Sequence, residues 1–252
     1  MTTATKDFDS LIDRLQKQHE TVSVEMHLPS TGESTTAKKI TVEQQTQILT
    51  GALKQETQQN VFSYNRVISE IILKNCSEPE DINLVDKIPL AIQLRVDTIG
   101  ETMEINDVTY NIDQHVKTVH PLVEPKIAEL LDTHEHTTDT GITITYSCPP
   151  LYVDYDINKS AESEWSTMQG EDIISELFKV EISKYIQQIT FQEETINLLE
   201  LDFKSRLKVC DMLPMSCSKV LVEYIERIKD IEAQYVSLSG ATIPMDATLF
   251  GA

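Results

Sequence analysis

The chain has 252 residues, enough for one large domain or two modest ones with a proper core. Its 41 acidic against 21 basic residues leave a formal charge of −20, which repels phosphate backbones and anionic headgroups and argues against nucleic acid and membrane surfaces as partners. Seven glycines, under half of the usual ~7%, leave little material for phosphate-cradling loops and argue against a nucleotide-dependent enzyme.

Phe8, Leu11, Ile12 and Leu15 fall at i, i+3, i+4 and i+7, which predicts a short amphipathic helix over 6–19 within an N-terminal arm of residues 1–20. A helix of that length is marginal unless its apolar face docks, either on its own domain or on a partner. Val22, Val24, Met26 and Leu28 alternate with polar residues as a half-buried strand requires, and Pro29 and Gly32 stop it. Thr41 and Gln44 have capping-box spacing, and Val42, Ile48, Leu49, Ala52 and Leu53 form a stripe, so a helix is expected over 41–56. A second is expected over 60–75, burying Val61, Tyr64, Val67, Ile68, Ile71 and Ile72.

Two readings stand over 88–100. Ile88, Leu90, Ile92, Leu94 and Val96 alternate like a strand, whereas Pro89 and Gly100 would bracket a helix. Thr102–Ile105 and Val108–Ile112 flank Asn106-Asp107, a two-residue hairpin turn, and Ile142, Ile144 and Tyr146 predict a further strand before Pro149-Pro150. Residues 21–155 thus read as an α+β domain. Residues 156–171 are polar, contain the only tryptophan, Trp165, and read as a connection. Beyond it the stripes Ile173, Ile174, Leu177, Phe178, Ile182, Tyr185, Ile186, Ile189 and Val220, Leu221, Tyr224, Ile225, Ile228, Ile231 predict a helical domain over 172–238, followed by a tail over 239–252. The fold class is α+β: a small mixed strand and helix N-terminal part with a β-hairpin, then a mainly helical C-terminal part.

Cys76, Cys148, Cys210 and Cys217 lack the two-residue spacing of metal or redox sites and read as reduced, mostly buried thiols. No apolar run approaches the ~20 residues that span a bilayer, which points to a protein made and used in a cytoplasm. His134-Glu135-His136 has no third ligand in view and reads as a polar turn rather than a zinc site. Asp154-Tyr155-Asp156 could offer two oxygens to a divalent ion from one strand face, but without phosphate-binding companions it reads as a surface turn. With 41 carboxylates no pair can be singled out for acid–base work, and no serine sits in a G-x-S-x-G setting. No catalytic, metal or cofactor-binding residue is nominated; a hydrolase with an unrecognised carboxylate site, or an acidic protein-binding module, is the alternative. Arg95 stands in an apolar stretch, where its stem can cover the core edge or its planar fork can tie the segment to a carboxylate in the hairpin or on a partner.

Three segments in order, Leu28-Pro29-Ser30-Thr31-Gly32, Leu94–Glu101 and Met212–Ile231, resemble the baseplate hub and hub assembly proteins of T-even-like contractile-tailed phages, and positions 22–238 can be laid on that plan. The first segment also matches a cell-wall sorting signal, but it leads into a capped helix instead of an apolar span with a basic tail. The resemblance implies that Leu90–Ile99 is helical. It also implies a non-enzymatic morphogenesis protein without cofactors, which helps assemble the central hub, in host cytoplasm or in the tail baseplate itself. The implied partners are hub and tape-measure proteins, in a homo- or hetero-oligomer, with the chain acting as a chaperone or as a viral structural subunit. Apolar residues outside the expected core, Phe8, Leu11, Ile12 and Leu15 in the arm and Ile243, Met245, Leu249 and Phe250 in the tail, are the candidate partner contacts together with Arg95.

Overall fold

The computed structural model describes residues 23–56, 60–165 and 171–251. β1 (Ser23–Leu28) pairs antiparallel with β2 (Glu33–Lys38), with Leu28 opposite Glu33. The turn between them is closed by the Thr31 and Gly32 amides donating to the Leu28 carbonyl at 3.2 and 2.9 Å, and Gly32 takes φ 71°, which suits a residue without a Cβ. β2 has no hydrophobic alternation to see, because its two inward positions are Thr35 and Ala37, each 1% exposed.

α1 (Val42–Glu56) starts at the expected box: the Gln44 amide donates to Thr41 Oγ1 at 3.1 Å and the Thr41 amide to Gln44 Oε1 at 3.0 Å. Of its stripe, Ile48 and Ala52 are buried whereas Val42 and Leu53 are exposed. α2 (Ser63–Asn75) buries Tyr64, Val67, Ile68, Ile71 and Ile72 as the periodicity requires. Two short 3-10 turns lead to α3 (Lys87–Ile99), so the helical reading of 88–100 holds. The hairpin of β3 (Thr102–Ile105) and β4 (Val108–Asn111) turns at Asn106 and Asp107, whose φ values of 53° and 62° give the twist a two-residue turn needs.

α4 (Ile112–Leu131) spans a stretch to which the sequence reading assigns no element. Asn111 caps it, accepting from the Gln114 amide at 2.8 Å, and Val116, Val119, Val123, Ile127 and Leu130 face the core. Pro121 and Pro125 are tolerated because they stand one turn apart on the exposed face, where the carbonyls they leave unpaired reach water.

β5 (His134–Thr137), β6 (Thr143–Tyr146), β7 (Ile186–Phe191) and β8 (Glu194–Asn197) form one antiparallel sheet in that order. Between β6 and β7 come α5 (Leu151–Glu164) and α6 (Glu171–Tyr185). Residues 156–164 are therefore helical rather than a polar connection, and Ile186 and Ile189, expected in a helix, lie in β7. Both are buried although three residues apart, because a bulge opposite Thr145 and Tyr146 inserts Gln187 and returns the second isoleucine to the core face. Ile173 and Ile174 have side chains outside the described set. α7 (Phe203–Asp211) and α8 (Met215–Val236) follow, and α8 buries Leu221, Tyr224, Ile225, Ile228 and Ile231 as expected.

One contiguous core runs from Met26 to Phe250, so the segments before 156 and after 171 pack together. The overall class is α+β, with strands in the C-terminal part as well. After β9 (Ser237–Leu238) and β10 (Ala241–Thr242) the chain returns over α1 and α3. Ile243, Leu249 and Phe250 are buried and Met245 packs against the core, so the expectation of an exposed apolar tail is corrected. Arg95, itself buried, donates to the Leu249 carbonyl at 3.3 Å and to the Gly100 carbonyl, and Gln45 Nε2 donates to the Phe250 carbonyl at 2.6 Å. Neither a hairpin carboxylate nor a free surface takes the Arg95 fork.

Replacing Arg95 by Met keeps the apolar stem but strips these carbonyls of their charged donor, a loss of about 2 kcal/mol. Urea unfolding is expected to show that loss, with faster amide exchange at Ile243 and Leu249; unchanged exchange would mean that apolar packing alone holds the segment.

Candidate functional site

The strongest concentration of chemistry is a buried charge cluster where α2, α3, α5, α6 and α8 meet. Asp154 is 1% exposed on α5. Its Oδ2 receives Lys87 Nζ from α3 at 2.8 Å and the Ser69 hydroxyl from α2 at 2.7 Å, and its Oδ1 receives Lys184 Nζ from α6 at 2.9 Å and Asn158 Nδ2 at 2.8 Å. Lys184 also donates to Glu181 Oε2 at 2.7 Å, and the Tyr185 hydroxyl donates to Glu181 Oε1 at 3.2 Å. Asp154-Tyr155-Asp156 is thus no surface turn: helical geometry carries the first carboxylate into the interior.

Burial alone would raise Asp154, but the Lys184 and Lys87 ammoniums outweigh it and hold the carboxyl well below the ordinary range. Burial alone would lower Lys184, and Asp154 and Glu181 carry it upward instead. Glu232, on α8, moves the other way: burial pushes it up to about 7, against the pull of Lys87 and with a push from Glu181 and Asp154. A cleft of about 480 Å³ opens above the cluster, walled by Leu84, Ile88, Leu177 and Phe178 and by these charged groups.

A second buried carboxylate governs the first motif. Asp86 accepts the Ser30 amide at 2.8 Å and the Ser30 hydroxyl at 2.6 Å, while the Asn83 amide donates to it at 2.9 Å. Burial raises Asp86 to about 6 and those hydrogen bonds oppose the rise. The Leu28–Gly32 turn is thereby tied to the entrance of α3. On the neighbouring face His27 contacts Glu124 Oε1 at 2.7 Å and lies edge-on to His120 at 4.6 Å between ring centres. His120 Nδ1 meets the Tyr235 hydroxyl at 2.9 Å, and burial lowers its pKa to about 4, so it is neutral at physiological pH.

The remaining sequence candidates are dispersed. His134 and His136 share one face of β5, where His134 stacks on Tyr146, and among the described residues no group of three His, Cys, Asp or Glu is placed to hold a metal. The four cysteines are buried and free, and burial pushes Cys76, Cys148 and Cys210 up to about 12, which leaves them poor nucleophiles. Phe8, Leu11, Ile12 and Leu15 lie outside the described residues. Sequence reasoning missed Lys87, Glu181, Lys184 and Glu232 altogether; the one available signal was a charge set into or beside an apolar run at Lys87 and Lys184.

A surface without chemistry is prominent at the α7–α8 corner. Met212 and Met215 are 76% and 86% exposed, and Met215 with Phe178, Ile182, Leu213 and Val222 borders a groove of about 750 Å³. Helix-end methionines beside an apolar groove suit adaptable protein contacts better than a reaction. A family model described as T4 bacteriophage base plate protein matches residues 19–236. The chain belongs to that family. The match takes in Leu28–Gly32, Leu94–Glu101 and Met212–Ile231, the three segments whose tethers and exposed corner are described above. No curated protein and no solved structure matches the chain. No helix among the described residues of this base plate protein is long and apolar enough to cross a membrane.

Two outcomes follow for stability. Asp154→Ala leaves the buried Lys87 ammonium without a carboxylate and Lys184 with Glu181 alone, and is expected to cost about 3–5 kcal/mol by urea unfolding; a cost under ~1 kcal/mol would mean that water already screens the cluster. The raised Asp86 and Glu232 contribute stability that is present below their unfolded pKa values and lost as pH rises through about 6 and 7. The lowered Asp154, Glu70, Glu162 and Glu181 contribute stability above their unfolded values that is lost on acidification. The unfolding midpoint is therefore expected to peak between about pH 4.5 and 6, and Glu232→Gln should flatten the decline on the alkaline side.

Proposed function

We propose that this base plate protein is non-enzymatic and helps build the central hub of the tail baseplate, escorting hub or tape-measure proteins or remaining among them as a subunit. The family match over residues 19–236 carries the reading. The physical character of the chain supports it. A surplus of 20 negative charges keeps a complex with an aggregation-prone client soluble, and the exposed methionine corner offers an apolar contact. The amphipathic arm with Phe8, Leu11, Ile12 and Leu15 is the second proposed contact, because its apolar spacing calls for a docking partner. Arg95, Ile243, Leu249 and Phe250 act indirectly in this proposal, by holding the core that presents those contacts.

Tagged protein recovered from infected cells, with mass spectrometry of both the captured partners and finished particles, tests the proposal. Capture of hub or tape-measure proteins is expected. Absence from particles would assign an escort and presence a subunit, whereas capture of no tail protein would remove the hub reading. Deleting residues 1–19 should weaken capture by about tenfold, the effect of losing roughly 1.4 kcal/mol of contact; unchanged capture would discard the arm.

A further inference from the structure

The charged groups of the cleft are not all satisfied. Asp154 takes both Lys87 and Lys184, and Glu181 takes Lys184 and the Tyr185 hydroxyl. Glu232 lines the same cleft with no hydrogen bond or ion pair among the described residues. The groups facing it are Lys87 from α3, Asp154 from α5, Glu181 and Lys184 from α6, and Lys229 one turn earlier on α8. Lys229 is exposed and makes no ion pair within 4 Å among the described residues. Apart from the exposed Lys229, two ammoniums in the lining, Lys87 and Lys184, stand against three carboxylates, which leaves one negative charge in excess at Glu232.

The missing complement follows from the walls. An anion would add to the excess charge. A divalent metal needs several oxygen ligands, and only Glu232 is uncommitted. A cation with N–H donors on a short alkyl stem matches both the carboxylate and the apolar lining, and about 480 Å³ falls within the range of small-ligand sites. We propose that the cleft binds an alkylammonium group, with Glu232 as its counter-ion and Leu84, Ile88 and Leu177 around its methylenes. A free diamine and a lysine side chain of a neighbouring protein present the same chemistry.

Butylamine titrated into the purified full chain at about pH 8, where Glu232 is ionised, tests the site by thermal unfolding. The unfolding midpoint is expected to rise and saturate in the millimolar range, whereas butanol and sodium chloride of equal ionic strength leave it unchanged. Glu232→Gln is isosteric, removes an uncompensated charge and so should fold; its butylamine response is expected to weaken by about tenfold or more. Lys229→Gln should bind at least as tightly, since a nearby competing ammonium is gone. A response that persists in Glu232→Gln, is matched by salt, is lost in Lys229→Gln, or never develops overturns the assignment.

The titration stands independently of the hub reading; only the choice between sources draws on it. Butylamine that releases a tail protein from the tagged chain assigns a partner lysine, and a tail protein retained at saturating butylamine assigns a free diamine.

Discussion

Asp154 is the point at which the helices of this protein are registered against one another. Its two oxygens accept from α2, α3 and α6 as well as from its own helix, so sliding α3 by one turn would bury the Lys87 ammonium without its carboxylate, and sliding α2 or α6 would strip Asp154 of a donor. Such a cluster contributes little net stability compared with apolar residues of the same volume, because desolvating the charges offsets their attraction. What it contributes is a heavy penalty on every other arrangement. The core around it is apolar and adaptable, and the charges select one packing from the several that isoleucine and leucine stripes would tolerate.

Local signals were legible in the sequence wherever the chain decides its own conformation. Thr41 and Gln44 formed their box, Asn106-Asp107 turned as two residues tolerant of positive φ, and Pro89 with Gly100 outweighed a misleading alternation to give α3. Failures came where tertiary context decides. Thr35 and Ala37 carry no hydropathic contrast, so β2 was invisible until β1 paired with it. Two prolines disguised α4 because their tolerance depends on which face meets water. Ile186 and Ile189 kept helical spacing inside a strand because a bulge at Gln187 lies between them in that strand. Asp154 looked like surface because its partners Lys87 and Ser69 are 67 and 85 residues away, and no spacing rule reaches that far.

The segments that carry the family resemblance are joints rather than reactive motifs. Ser30 within Leu28–Gly32 is clasped by Asp86, and Arg95 within Leu94–Glu101 clasps Leu249. Met212–Ile231 differs in kind: its helical part supplies core, while its leading corner stays open to solvent. The division is between rigid joints inside and a displayed surface outside.

The seating of Leu249 and Phe250 also has a kinetic side. Arg95 and Gln45 bond to carbonyls 154 and 205 residues further along the chain, contacts of very high sequence separation. On a ribosome, α1 and α3 emerge well before the C-terminal segment that completes their packing. Closure of the core is thus a late, slow event. Until it happens, part of the apolar surface of the nascent chain waits for its last cover.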